Sequence, residues 1–179
     1  FYELFALWAD EADQEFWKKA AEASREYLKK ACHPVTGLSP EYSEYDGTPH
    51  MGHQGQYGRH DWVYSDAYRT ALDYEWFGAD EWERGQSDRI QRFFCETVKD
   101  QDEGIYLIDG TILPGKALHP VGLMATVAQA SLAAQGTYAA DCAMRLWNAP
   151  LRTGDRRYYD NCLYLFALLA LSGRYRIWK

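Results

Sequence analysis

The sequence is poor in cysteine, has no excess of positive charge and contains no apolar run long enough to cross a membrane. Its four cysteines are widely spaced and form no CxxC pair, so we interpret them as reduced core residues, although four cysteines could form two disulfides. A net charge of -7 argues against a nucleic-acid partner, because a phosphate backbone requires a basic surface. The apolar run at 161–173 is too short to span a bilayer, so we expect no membrane partner. Together these absences indicate a globular, cytoplasmic protein.

The beginning of the chain lacks the features of a natural start. There is no initiator Met, and residues 1–9 resemble the last turns of an apolar helix without its cap. We therefore expect the true start to lie elsewhere. Secretion stays open, because a signal peptide would precede this segment.

Two kinds of helical pattern alternate along the 179 residues, a length that suits one domain. Amphipathic patterns are typical of helices that cover a core from outside, whereas uncharged patterns are typical of helices buried on all sides. The amphipathic segments are 10–31, 80–99 and 137–147, and the apolar ones are 1–9, 66–77, 121–134 and 158–172. A hairpin or extended loop is expected at 104–116, where β-branched residues stand between glycines. The alternation predicts an all-α toroid, in which inner helices face one another and outer helices shield them.

The segment 59–77, with the sequence RHDWVYSDAYRTALDYEWF, is the candidate centre of the function. It places Asp66 at the opening of a helix that we expect to enter the core with Trp76 and Phe77. One interpretation is structural, because a carboxylate at a helix start accepts hydrogen bonds from free N–H groups and is favoured by the helix dipole. The other is catalytic, because an ionisable group held at a buried helix end among aromatic residues such as Tyr64 is a candidate for acid–base chemistry. The residues alone leave both open.

A long polar loop at 35–60 leads to Asp66, and loops of this length in a compact domain are often functional. His50 and His53 lie in it, but no second ligand pair at a matching spacing follows. We therefore predict solvated or hydroxyl-binding histidines, no metal site and no other cofactor.

Two further polar residues stand at the starts of apolar helices, His119 before 121–134 and Tyr159 in 158–172. If these ends converge with Asp66, they outline one cleft, in which aromatic rings stack on sugar faces while Tyr, His and Arg side chains donate to hydroxyls. The 7 Trp and 14 Tyr residues supply such rings, although many of them must belong to the core.

The phrase YSDAYRTALDYEWF resembles the helix that carries the catalytic base in glycoside hydrolase family 8. In that family a Tyr, an Asp-Ala pair and an Arg recur in the order seen here at Tyr64, Asp66, Ala67 and Arg69. Three further segments are similar to the same family: the opening FYELFALWAD, the tripeptide LHP at 118–120 and the final RRYYDNCLYLFALLALSG. Within the family, the LHP tripeptide favours the enzymes that release xylose from the reducing end of xylo-oligosaccharides.

The resemblance implies an (α/α)6 barrel of which residues 1–179 form the C-terminal half of a single catalytic domain. It implies an inverting glycosidase with Asp66 as general base, Arg69 keeping that base ionised, and Tyr64, His119 and Tyr159 binding the substrate. The general acid, a Glu, would belong to the missing N-terminal half. The LHP element would block the cleft beyond one sugar and make the enzyme an exo-enzyme. A half ring leaves apolar sides uncovered, so we expect the segment alone to be inactive and prone to associate.

Three alternatives remain. One is a helical module that binds carbohydrate without cleaving it, which the missing acid supports. A second is a family 8 endoglucanase or endoxylanase, because the assignment to the xylose-releasing group depends mainly on LHP. The third is an α/α-toroid enzyme of another family, such as a lyase or an epimerase.

Overall fold

Helices dominate the computed structural model, which describes residues 2–53, 58–72, 80–99 and 104–176. The α-helices in these residues are α1 (Tyr2–Trp8), α2 (Glu11–Ala31), α3 (Glu81–Arg92), α4 (Pro120–Gln129), α5 (Ala139–Asn148) and α6 (Arg157–Leu171). A π-helical turn, Phe93–Val98, extends α3, and a 3₁₀ turn, Ala130–Leu132, extends α4. The predicted all-α class is confirmed, and α2 to α6 each begin within two residues of the start predicted from the pattern.

The helix predicted to begin at Asp66 differs from the expectation. It is a 3₁₀ helix, Ser65–Leu72, rather than an α-helix. One physical reason lies outside the segment: the Ser65 carbonyl accepts a hydrogen bond from the Tyr159 hydroxyl at 3.1 Å, so a distant side chain holds the first turn. Residues 73–79, with the predicted core residues Trp76 and Phe77, lie outside the described residues.

A small antiparallel sheet supports the start of this 3₁₀ helix. Its strands are β1 (Trp62–Val63), β2 (Ile105–Leu107) and β3 (Ile112–Leu113), in the order β1-β2-β3. The predicted hairpin at 104–116 is therefore confirmed as β2 and β3. The pattern did not predict β1, since two residues are too few to show the alternation typical of a strand.

The pairing of β1 with β2 anchors the chain just before Asp66. Val63 pairs with Tyr106, whose side chain is fully buried. The Tyr106 ring meets Phe93 and Phe94 edge-on, each with ring centroids 5.5 Å apart. Edge-to-face packing in a core is rigid and favourable. The backbone that leads to Asp66 is thus anchored in the hydrophobic core.

Burial on α4 and α5 differs as the alternation predicts, whereas α6, predicted to be buried on all sides, has the exposed side chains of Tyr158, Leu165 and Phe166. Most residues of α4 from Gly122 onward are buried, whereas on α5 Cys142 and Leu146 are the residues in the core. The inner helices α4 and α6 pack closely through small side chains, with Ala125 and Ala128 against Ala167. A Cβ at Gly122 would lie 2.9 Å from Leu163 Cδ1, so a larger residue there would require the Leu163 side chain to shift.

Large apolar side chains remain exposed on four of the helices. They are Phe5 and Trp8 on α1, Phe16 on α2, Met144 and Trp147 on α5, and Leu165 and Phe166 on α6. Where such side chains are neighbours on one surface, they are typical of a surface that another polypeptide covers. Their exposure agrees with the expectation that a half ring leaves apolar sides open.

All four cysteines are free. Cys32 and Cys142 are buried, and the Sγ atoms of Cys95 and Cys142 lie 3.7 Å apart. Burial raises the pKa of the Cys142 thiol to about 12, with the neighbouring Cys95 adding to the effect. Across the described residues, no helix combines the length and the apolar character that a membrane crossing demands.

Candidate active site

The structure brings together three of the residues predicted from the sequence, at the starts of three helices. Asp66 is the second residue of the 3₁₀ helix, His119 directly precedes α4, and Tyr159 is the third residue of α6. The Tyr159 hydroxyl lies 3.3 Å from Asp66 Oδ1, and its ring centroid lies 4.4 Å from that of His119. Tyr159 is therefore the link between the other two.

Asp66 has a side-chain partner for each carboxylate oxygen. Oδ2 lies 2.8 Å from Arg69 Nη2, and Oδ1 lies near the Tyr159 hydroxyl. Burial raises the pKa of Tyr159, so the hydroxyl stays protonated and can donate. The Asp66 side chain is nevertheless 42% exposed. It is thus a carboxylate that is oriented by two donors and still open to water.

The backbone that carries Asp66 is unusual. Ser65 has a φ of +28°, a region that residues other than glycine rarely adopt. Such backbone strain persists where surrounding contacts hold it, and it is concentrated at active sites and ligand clamps. Here the holding contact is the Tyr159 hydroxyl on the Ser65 carbonyl, at 3.1 Å.

Glu41 is a second carboxyl group beside Asp66 that sequence reasoning missed. Its carboxyl group lies near Asp66, whose backbone N–H offsets part of the rise in the pKa of Glu41, and the Glu41 N–H donates to the Trp62 carbonyl at 2.9 Å. Burial and, next, the negative charge of Asp66 raise the pKa of Glu41 to about 7. Nothing in the loop sequence marks Glu41, since it lies 25 positions before its partner in the chain.

Tyr64 lies next to these carboxyl groups but is largely buried. Its ring packs edge-on against Trp62, with centroids 5.9 Å apart, and its carbonyl accepts the Ala67 N–H at 2.8 Å. Burial raises the pKa of the Tyr64 hydroxyl. The structure places Tyr64 at the turn that leads into the 3₁₀ helix.

Asp160 is a third carboxylate, and sequence reasoning missed it because the segment 158–172 is otherwise apolar. Its side chain is fully buried. One oxygen accepts from the Gly122 N–H at 2.6 Å, and the other lies 3.2 Å from His119 Nδ1 and 3.3 Å from Arg152 Nη1. The only available signal was an acid in the first turn of a helix, which more often indicates capping.

The described residues hold no group of three or more His, Cys, Asp and Glu side chains that could bind a metal ion. His50, considered from the sequence for that role, contacts Glu44 through Nδ1 at 2.5 Å and lies against the His60 ring, with centroids 5.2 Å apart.

Comparison with known proteins gives a family for this chain. The sequence profile of Glycosyl hydrolases family 8 matches residues 2–173. The reducing-end xylose-releasing exo-oligoxylanase Rex8A of Paenibacillus barcinonensis is 58% identical, over 99% of this chain and 47% of the relative. An enzyme described in the same words from Halalkalibacterium halodurans is 56% identical, over 99% of this chain and 46% of the relative.

A more distant relative and a solved structure also match nearly the whole of this chain. Endoglucanase A of Acetivibrio thermocellus is 27% identical, over 96% of this chain and 35% of that protein. The structure of Rex8A complexed with xylose superimposes with a TM-score of 0.90 at 56% identity, covering 99% of this chain and 48% of that one. The present chain spans about half the length of the curated relatives that it matches.

Proposed function

The chain belongs to glycosyl hydrolase family 8, and from that premise we propose that the complete protein releases xylose from the reducing end of β-1,4-xylo-oligosaccharides with inversion. The observation that supports this most strongly is the grouping of Asp66, Tyr159 and His119 at the starts of three helices. The relatives described as reducing-end xylose-releasing exo-oligoxylanases share 56–58% of its residues.

Asp66 acts as the general base in this proposal. It removes a proton from a water molecule, whose oxygen attacks the anomeric carbon of the second sugar from the reducing end. A general acid on the other side protonates the oxygen of the leaving xylose. An inverting glycosidase separates the two carboxyl groups by about 6.5 to 9.5 Å so that the water fits between them. The exposed side of Asp66 leaves space for that water.

Arg69 and Tyr159 hold the base in position. The ion pair at 2.8 Å and the hydroxyl at 3.3 Å fix the two carboxylate oxygens from different directions. A positioned base accelerates proton transfer because the reacting atoms meet in the correct geometry. Tyr159 also closes one side of the site through its ring, which faces His119.

His119 and Pro120 form the wall that limits the cleft to one sugar beyond the cleaved bond. Pro120 opens α4 and stiffens the preceding residue. The His119 ring offers a nitrogen to a hydroxyl of the terminal xylose, and the half-buried Tyr159 contributes aromatic surface for stacking. An enzyme with such a wall removes single xylose units.

The general acid belongs to the part of the protein that the relatives have in addition, and residues 1–179 form the C-terminal half of one catalytic domain. That other half would also cover the apolar side chains exposed on α1, α2, α5 and α6. We further propose a cytoplasmic location, which the four free cysteines support.

Product analysis with xylotriose tests the proposal. We expect the complete protein to give equal amounts of xylose and xylobiose, and proton NMR should show the new reducing end of xylobiose first as the α-anomer. Xylotriose with its reducing end reduced to the alditol serves as the matched substrate control. Random internal cleavage of long xylan would instead indicate an endo-enzyme, and binding without any hydrolysis would indicate a carbohydrate-binding module.

A further inference from the structure

We propose that Asp160 is a positioning residue that fixes the protonation and the orientation of the His119 ring, so that Nε2 accepts a hydrogen bond from a hydroxyl of the terminal sugar. The proposal rests on the proposed function insofar as it makes His119 a sugar-binding residue. The placement of Asp160 itself depends only on the contacts within this chain.

Three segments converge on the buried Asp160 carboxylate. Oδ2 lies 3.2 Å from His119 Nδ1 and 3.3 Å from Arg152 Nη1, while Oδ1 accepts the Gly122 N–H at 2.6 Å. The partners come from the residue before α4, the first turn of α4 and the loop before α6. A fully buried carboxylate is tolerated where charged and polar donors surround it, and here it has both.

Asp160 also provides the cap that the sequence before α4 does not. His119 precedes the helix, and its side chain makes no capping hydrogen bond. The Asp160 carboxylate accepts a hydrogen bond from the Gly122 N–H in the first turn, and it places negative charge at the positive end of the helix dipole. His119 is therefore attached to Asp160 twice, through its own ring and through the start of the helix that follows.

The Asp160 carboxylate determines which nitrogen of His119 carries the proton. An ionised carboxylate can only accept hydrogen bonds, so Nδ1 must be the protonated nitrogen of the neutral ring. Nε2 is then unprotonated and can accept from a sugar hydroxyl. A hydrogen bond at one ring nitrogen sets the role of the other in this way in many histidine sites. Tyr159, tilted by 46° against the same ring, restricts its rotation.

The residues on either side of Asp160 complete this arrangement. Tyr159 contacts Asp66 and Ser65, and Asn161 bonds the backbone N–H and carbonyl of Arg152, each at 3.0 Å. Three consecutive residues of α6 thus hold the proposed base, the histidine and the loop that carries Arg152. Asp160 is the member that acts on sugar recognition.

The first measurement is made on the unmodified complete protein. Nitrogen-15 NMR distinguishes the two forms of a neutral histidine ring, and a His119→Gln variant identifies the His119 signals. We expect Nδ1 to be protonated and Nε2 bare at neutral pH. A ring protonated at Nε2 alone would overturn the proposal, whatever the activity of the enzyme.

The second measurement uses Asp160→Asn, with Asp155→Asn as the matched control because Asp155 is exposed in the loop before the same helix. We expect Asp160→Asn to move the ring proton to Nε2 and to raise KM for xylotriose about tenfold, with a smaller effect on kcat, as for the loss of one hydrogen bond. In a His119→Ala background the same change should have little further effect on KM, because the effects of coupled residues are not additive.

The outcomes separate this proposal from the proposed function. If xylotriose is hydrolysed but Asp160→Asn changes neither the ring proton nor KM, Asp160 is not a positioning residue and the function stands. If the ring is protonated at Nδ1 but no xylo-oligosaccharide is hydrolysed, the positioning stands and the proposed function is wrong. Should Asp160→Asn not fold, the spectrum of the unmodified protein decides.

Discussion

Asp66 and Asp160 are both aspartates in contact with the pair formed by Tyr159 and His119, and their surroundings differ in two respects. The Asp66 side chain is 42% exposed, whereas that of Asp160 is fully buried. Asp66 has another carboxyl group, Glu41, beside it, whereas Asp160 is surrounded by donors. A carboxylate that water can reach can exchange a proton with it. A buried carboxylate whose oxygens both accept from donors of the chain can instead keep those donors in position.

The difference predicts that environment, rather than residue type, separates the two proposed roles. The same logic separates acid from base among paired carboxyl groups in glycosidases. It also predicts opposite outcomes for matched substitutions: changes at or near Asp66 should affect turnover, and changes at Asp160 should affect stability and sugar binding.

The largest expected effect is that of Asp66→Asn in the complete protein. The amide keeps the shape of the side chain but cannot remove a proton, so we expect kcat to fall by about a hundred- to ten-thousand-fold. The melting temperature should change little, because Asn also suits a helix start. Steady-state kinetics with xylotriose and thermal unfolding measure the two effects, with Asp155→Asn as the control.

Azide sharpens this test, since it attacks without losing a proton and needs no general base. We expect azide to restore turnover of the Asp66→Asn enzyme and to give the glycosyl azide of α configuration. Near-normal turnover of every xylo-oligosaccharide by Asp66→Asn without azide would show that Asp66 is not the base.

A smaller effect on kcat is expected from Tyr159→Phe, which removes the hydroxyl group of Tyr159 and leaves its ring. Phe keeps the ring against His119 but loses the hydroxyl shared by Asp66 Oδ1 and the Ser65 carbonyl. We expect kcat to fall about tenfold, the size of one or two lost hydrogen bonds, with KM nearly unchanged. Tyr158→Phe is the matched control, because Tyr158 is exposed.

Kinetics of the Tyr159→Phe enzyme with xylotriose distinguish two roles of the hydroxyl. A rise in KM at constant kcat would show that Tyr159 binds sugar directly, as the family resemblance implies, and does not orient the base. In either case the Asp160 side of the site should keep its structure, so the His119 ring should stay protonated at Nδ1.

The sequence predicted the helices, the hairpin and the family, because these depend on local periodicity and on motifs within short segments. It also drew attention to Asp66, His119 and Tyr159, which lie at helix starts. The local pattern could not predict the short strand β1 or the 3₁₀ form of the helix at Asp66, since both depend on contacts with distant parts of the chain.

Glu41 and Asp160 show the same limit for the site. Glu41 contacts a residue 25 positions later, and Asp160 contacts His119, 41 positions earlier. Neither stands in a local pattern of charge, and a single acid at the start of an apolar helix is normally interpreted as a cap. Their positions follow from the packing of α6 against α4 and from the backbone hydrogen bond between Glu41 and Trp62 of β1, which a one-dimensional pattern does not contain.

The smallest expected effect is a change in pH dependence on Glu41→Gln. Burial and the negative charge of Asp66 raise the pKa of Glu41 from 4.5 to about 7, so the folded protein binds this proton more tightly than the unfolded chain does. The stability that the proton contributes is complete below about pH 4.5 and is lost as the pH rises through about 7. Gln stays neutral at every pH and keeps the size of the Glu41 side chain.

We therefore expect Glu41→Gln to change little at pH 4 and to stabilise the complete protein at pH 8, by about 1 kcal/mol once the screening of a half-buried group is allowed for. Thermal unfolding from pH 4 to 8 measures this, with Glu22→Gln on the exposed side of α2 as the matched control. The expected result is a difference curve that rises between pH 4.5 and 7 for Glu41→Gln and stays flat for Glu22→Gln. Parallel curves for wild type and Glu41→Gln would contradict it, because they would mean that neither burial nor the charge of Asp66 raises the pKa of Glu41. The crowding of carboxyl groups that sets Asp66 apart from Asp160 would then be absent, and accessibility to water alone would distinguish the two.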